Sequence, residues 1–127
     1  MIIAIDFDGT CVEHEFPKVG NDVPNAVNVI KQLAKNHHLI LWTMRSGETL
    51  EDAINWFKSR GIPLYGINEN PTQKNWTQSP KAYAQLYIDD AALGCPLTGN
   101  IENNKLKGRP YVDWFKVEEM LKTANLI

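Results

Sequence analysis

The sequence predicts an α/β fold around a mainly parallel sheet. Short β-branched runs alternate with stretches of helical periodicity. The runs are apolar at consecutive positions, as strands buried on both faces are. Three of the four end in a polar residue: Asp6, Thr43 and Asp89. The chain has 127 residues, 43% hydrophobic and 22% charged. That suits one domain over residues 1–127 with a core of its own. There is no internal repeat and no low-complexity tract.

The elements follow in order. Ile2 to Ile5 is a buried strand running into Asp6. Residues 7 to 24 hold Gly9, Pro17, Gly20 and Pro24, so they turn repeatedly and leave room for a small flap within about 10–24. Asn21 or Asp22 can cap a helix with Pro24 in its first turn. Ala26, Val29, Ile30 and Leu33 then recur at helical spacing. Leu39 to Trp42 is the second strand, ending at Thr43. A helix is expected from about Glu48 to Ser59, with Leu50, Ile54 and Phe57 on one stripe and Gly61 at its stop. Leu64 to Ile67 is a short third strand, and residues 68 to 79 are a polar loop. Ser79-Pro80-Lys81 reads as a helix start. Leu86 to Ile88 is the fourth strand, ending in Asp89-Asp90. Gly94 to Gly108 is loop-like. Asp113 caps a last amphipathic helix through Phe115, Val117, Met120 and Leu121.

Bulk properties exclude several classes. The net charge of -2 gives no overall basic footprint for nucleic acid. No stretch approaches the roughly 18 apolar residues of a membrane span. The apolar start is too short for a secretion signal and lacks a basic flank. Cys11 and Cys95 have no metal-type spacing and make no disulfide framework. They are expected to be reduced thiols of a cytoplasmic protein.

Polar residues at the carboxyl ends of strands mark the ligand edge of an open α/β sheet. Asp6 and Asp8 bracket one residue just past a strand, so both carboxyls can face one small volume. Asp89 and Asp90 add two more acids. Such a set is costly without a cation or proton, and hard oxygen donors suit Mg²⁺. Thr43 can donate to a phosphate oxygen. Lys81, at an expected helix start where a cation is unfavourable to the dipole, is free to serve an anion. Trp42, Trp56, Trp76 and Trp114 are read mostly as core, with Trp76 a candidate for the site's edge. His14, His37 and His38 lack metal-ligand spacing, and the last two are expected in a turn.

In order along the chain these residues resemble the motifs of the haloacid dehalogenase (HAD) superfamily of phosphohydrolases. D-x-D-x-[TV] stands as Asp6-Phe7-Asp8-Gly9-Thr10. The second motif, a Thr or Ser ending the next strand, stands as Leu39-Ile40-Leu41-Trp42-Thr43. A lysine follows at Lys81, with Lys74 as competitor, and an acidic pair at Asp89-Asp90. The resemblance implies a Rossmann-like three-layer α/β/α sandwich without a large cap domain. It implies Mg²⁺ held among Asp6, Asp8 (through its carbonyl), Asp89 and Asp90, with Asp89 the direct ligand of the pair. It further implies a phosphomonoester hydrolase working through an aspartyl-phosphate on Asp6, with Asp8 as general acid and base. Thr43 and Lys81 would hold the phosphoryl oxygens. Arg45, following Thr43, is expected to contact the rest of the substrate or a second phosphate, a surface arginine being the plainer reading. The substrate is expected to be a small phosphorylated molecule, with a phosphorylated macromolecule or nucleic-acid end as the alternatives an open site also admits. A second copy of the chain is one way to cover an open site.

Three other readings use the same residues: a phosphotransferase, a non-catalytic phosphate- or metal-binding module, and a signalling receiver domain. The last places its acidic pair on the first strand and its phosphoacceptor on a middle one, the reverse of the order here.

Overall fold

Ile2–Ile5 forms β1 and runs through the middle of a four-stranded parallel sheet. The computed structural model describes residues 1–99 and 109–127. The sheet is completed by β2 (His38–Leu41), β3 (Gly66–Ile67) and β4 (Leu86–Ile88) in the order β3-β2-β1-β4. Register pairs Ile3 with Leu39 and Leu86, and Ile5 with Leu41 and Ile88. The helices are α1 (Ala26–Asn36), α2 (Gly47–Ser59) and α3 (Trp114–Thr123). A short antiparallel pair, β5 (Leu97–Thr98) with β6 (Tyr111–Val112), lies outside the main sheet.

Alternation along the strands divides the core. Ile3, Ile5, Leu39, Leu41 and Ile88 share one buried cluster with side chains of all three helices: Val29, Ile30 and Leu33 of α1, Trp56 and Phe57 of α2, and Trp114, Val117 and Leu121 of α3. Each such side chain contributes roughly 1.5–3 kcal/mol by leaving water. Ala4, Ile40 and Tyr87 occupy the alternate positions and face the other way. The segment 68–85 meets this side at Tyr87, whose hydroxyl donates to the carbonyl of buried Ala82.

That segment is not helical, which corrects the helix start expected at Ser79-Pro80-Lys81. Its one regular piece is a 3-10 turn, Gln73–Asn75. Buried Gln73 explains why. Its Nε2 donates to the carbonyls of Ser79 (2.8 Å) and Lys81 (2.7 Å), and its Oε1 accepts from Tyr83 N–H at 2.7 Å. Two carbonyls that would accept helical bonds are thereby taken. Asn70 Nδ2 closes the loop onto the Tyr83 carbonyl at 3.0 Å.

Other boundaries shift for local reasons. Asp22 does not cap α1, because its carboxylate is held by Trp56 Nε1 (2.8 Å) and by Arg60. The cap position falls to Asn25, in the left-handed region at φ 67°, a conformation asparagine tolerates. His37 ends α1 and bonds the Leu126 carbonyl, while His38 opens β2 and stacks on Tyr65 instead of lying in a turn. Part of the loop expected at 94–108 is β5, and residues 100–108 lie outside the described residues. Asp113 caps α3 as expected, accepting from Lys116 N–H at 3.2 Å. The flap is a narrow excursion. Val12 bridges Asp22 antiparallel, and Glu13 N–H donates to the Asn21 carbonyl at 2.8 Å.

Candidate functional site

The order β3-β2-β1-β4 reverses direction between β1 and β4, and in open α/β sheets such a switch point is where ligands bind. Asp6 leaves β1 there and Asp89-Asp90 leave β4. Asp6 N–H donates to the Ile88 carbonyl at 3.0 Å, tying the two strand ends together.

The chain after Asp6 coils tightly. The Phe7 carbonyl accepts from the N–H groups of Thr10, Cys11 and Val12 at 3.1, 2.8 and 3.3 Å. Gly9 allows this at φ +80°, and a Cβ there would lie 2.1 Å from His14 Nε2 and 2.4 Å from Asp90 Oδ2. Buried Trp114 braces the turn from α3, its Nε1–H donating to the Thr10 carbonyl at 2.6 Å.

One oxygen from each of Asp6, Asp89 and Asp90 lies within 4.8 Å of the others. The Thr10 hydroxyl organises them: it donates to Asp6 Oδ2 at 2.8 Å and accepts Asp90 N–H at 3.2 Å. Ala91 N–H donates to Asp89 Oδ1 at 2.8 Å. From the flap, His14 Nε2 reaches Asp90 Oδ2 at 2.9 Å. Burial raises the Asp6 carboxyl from the ordinary 3.8 to about 8, with Asp89 and Asp90 pushing the same way and the Thr10 bond pulling back. Burial also raises Asp89, and it raises the thiol of Cys11, whose Sγ–H donates to the Asp6 carbonyl at 3.3 Å.

Asp8 stands apart from this cluster. Both its oxygens are bonded by Arg45, from Nε at 2.8 Å and from Nη2 at 2.8 Å. Arg45 is only 3% exposed. Its remaining donors go to the carbonyls of Pro17 (3.1 Å), Lys18 (2.7 Å) and Thr49 (3.2 Å). Neither a surface arginine nor a substrate-contacting one describes it, because its guanidinium is spent inside the protein. With its carboxylate so occupied, the part of Asp8 left to hold a metal is its backbone carbonyl, which takes no hydrogen bond among the described residues.

Thr43 sits at the end of β2 beside this edge. Its N–H donates to Asn68 Oδ1 at 2.8 Å, and its Oγ1 accepts from Arg45 N–H at 3.2 Å, leaving the hydroxyl hydrogen available. Lys81 is exposed, and its Nζ rests over the Tyr87 ring at 5.8 Å with no ion pair among the described residues. Lys74 pairs with Glu69 at 3.8 Å. Trp76 is exposed and meets Tyr83 edge-on, Trp42 is half-buried, and Trp56 and Trp114 are core.

The structure thus gathers Asp6, Asp89 and Asp90, sets Asp8 and Thr43 at the same edge, and leaves Lys81 on Tyr87. Sequence reasoning gave no role to Thr10, His14 or Asn68. Thr10 stood within the first motif, where its spacing from Asp6 was the available signal. His14 meets Asp90 across 76 positions, and no local pattern encodes that.

Fold and site define a Rossmann-like α/β protein whose sheet presents carboxylates at its switch point. No protein-family model and no curated protein matches the chain. A solved structure does match, that of a conserved protein coded by a locus from Bacteroides thetaiotaomicron. The two are 38% identical over 98% of this chain and 91% of that one, with a TM-score of 0.76. The chain belongs to the family of that conserved protein. Among the described residues no helix is long and apolar enough to cross a membrane.

Proposed function

We propose that this chain is a Mg²⁺-dependent phosphomonoester hydrolase of the HAD superfamily type, using Asp6 as nucleophile. The observation that carries the reading is the convergence of Asp6, Asp89 and Asp90 within 4.8 Å at the switch point, with a further aspartate, Asp8, held two residues beyond Asp6. The strand order also separates this reading from a receiver domain. Receiver-type sheets place β1 between β2 and β3, whereas here β1 lies between β2 and β4.

The donor set fits a hard divalent cation. Three carboxylates repel one another in a part-buried pocket, and that repulsion adds to the burial that raises Asp6. Asp6, Asp89 and the carbonyl of Asp8 are all oxygen donors, with Asp90 oriented by His14 and Thr10. Asp6, Asp89 and the Asp8 carbonyl would hold Mg²⁺, which would supply positive charge to offset the repulsion between an anionic nucleophile and a phosphoryl group.

The chain's own groups divide the remaining work. Thr10 fixes Asp6 Oδ2, so the other oxygen faces the substrate as attacking atom. Attack on phosphorus forms the Asp6 acyl phosphate and breaks the bond to the leaving oxygen. Asp8, entering this step protonated, gives that oxygen its proton; the carboxylate so formed then takes one from the water that hydrolyses the acyl phosphate, which restores the acid. Such proton transfers are worth ~10²–10⁴-fold. The Thr43 hydroxyl donates to a phosphoryl oxygen. Lys81, two positions before Tyr83 and carried on an exposed segment beside Tyr87, is the candidate second cation for that group. A small phosphorylated metabolite in the cytoplasm is the substrate class this reading favours.

The test is a colorimetric phosphate-release assay over a panel of small phosphomonoesters, with and without Mg²⁺. Turnover that needs Mg²⁺ and vanishes in Asp6→Asn supports the proposal. Absence of Mg²⁺-dependent turnover for every ester would overturn it, and binding without turnover would make the chain a binding module.

A further inference from the structure

Three features of the site converge on one residue that catalysis as proposed does not use. Arg45 is buried, it bonds both oxygens of Asp8, and it holds two consecutive carbonyls of the flap, Pro17 and Lys18. Its guanidinium lies between two aromatic rings, 5.0 Å from the centroid of buried Phe7 and 5.2 Å from that of Phe16 on the flap. A fifth donor bond reaches the Thr49 carbonyl in the first turn of α2. The D-x-D turn, the flap and α2 thus meet at a single planar cation.

We propose that Arg45 is the positioning residue of this site, fixing the direction of the Asp8 carboxylate and fastening the flap to it. The inference rests on the reading of Asp8 as the proton carrier. A carboxylate with one free oxygen rotates about its last bond; with both oxygens bonded to a fork of N–H groups its plane is set. Only arginine supplies that fork and three further donors together. Lysine is a point charge with three donors and no plane. The flap depends on the same cation. Its base is closed by backbone bonds, Glu13 N–H to Asn21 and Val23 N–H to Cys11. Its outer part is held by Arg45 on one side and by His14 on Asp90 on the other. Phe16 remains exposed, so the carbonyl bonds and the stacked guanidinium carry the outer attachment. Removing the fork frees Asp8 and the flap together.

Arg45→Lys tests this, with Arg45→Met as a second variant in which the buried charge is absent. Two readouts are needed. The first is hydrogen–deuterium exchange of flap amides 14–20 in the metal-free protein, which requires no activity. The second is kcat and KM for an aryl phosphate and an alkyl phosphate. The alkyl ester has the poorer leaving group and depends more on proton delivery by Asp8. The expected result is faster exchange in the flap with unchanged exchange in β1 and β2. It comes with a kcat loss of roughly tenfold or more for the alkyl ester, and a smaller loss for the aryl ester. A merely structural role lowers both esters equally, in proportion to the folded fraction. Equal losses, or a flap whose exchange does not change in either variant, would overturn the inference. The two esters are an aryl and an alkyl ester drawn from those the unaltered chain hydrolyses in the phosphomonoester panel; if it hydrolyses none of the panel, the proposed function fails. The exchange experiment then decides the flap attachment alone, and protection unchanged in Arg45→Lys and Arg45→Met refutes it.

Discussion

Replacing Asp6 with Asn should stabilise the metal-free protein at neutral pH while abolishing the proposed phosphohydrolase activity. In the folded chain the Asp6 carboxyl is raised to about 8, first by burial and then by the charges of Asp89 and Asp90. The unfolded chain titrates near the ordinary 3.8. The folded state therefore holds a proton that the unfolded state has released, and stability falls as pH rises between those values. Its contribution is fully present below about pH 4 and gone above about pH 8. At pH 7 most of that interval has been crossed. At about 1.4 kcal/mol per unit, the cost is on the order of a few kcal/mol. Asn keeps a side-chain oxygen for the Thr10 hydroxyl and carries no charge. The Tm of Asp6→Asn in a chelating buffer should exceed that of the unaltered chain by several degrees at pH 7–8. The two should converge towards pH 4. Added Mg²⁺ should close the gap by stabilising the unaltered chain alone, because a ligand stabilises only the fold that binds it. An Asp6→Asn protein less stable than the parent across pH 5–8 would show that Asp6 is not held protonated by its burial.

Thr10→Val removes the hydroxyl that joins Asp6 Oδ2 to Asp90 N–H. Chemical denaturation should show a loss of about 1–3 kcal/mol, the cost of stranding a part-buried donor. The same bond holds the Asp6 carboxyl down, so calorimetric Mg²⁺ titrations at several pH values should show tight binding beginning at higher pH in the variant. Gln73→Ala deletes three bonds, to Ser79, Lys81 and Tyr83. We expect a loss of roughly 2–4 kcal/mol and protease cleavage within 76–83, with α1 and α2 still protected.

The fold was legible because its strands carry their own signal. Ile2 to Ile5 and Leu39 to Leu41 are apolar at every position, which only a doubly covered parallel strand needs. Asp6, Thr43 and Asp89 could be placed at one edge because parallel strands end together. The segment 68–85 was not legible: Ser79-Pro80 looks like a helix start, and the decision lies with one glutamine six to eight residues earlier. Arg45 was singled out by its place after Thr43, yet its direction depends on Asp8, 37 positions away. A charged residue beside a phosphate-type motif suggests a ligand contact. Burial reverses that expectation, since a buried guanidinium must satisfy every donor within the protein. His14 was hidden for the same reason, its partner lying on the far strand of the switch point.

The proposed mechanism turns on Asp6 carrying the phosphoryl group. Rapid quenching of the Mg²⁺-loaded chain in acid during turnover of a good phosphomonoester, followed by mass spectrometry of its peptides, tests it most directly. One acid-stable, base-labile phosphoryl adduct is expected on the peptide containing Asp6, absent in Asp6→Asn and more abundant in Asp8→Asn, where water attack is slowed. Steady turnover with no adduct in either background, or an adduct on Asp89 or Asp90 instead, would contradict it.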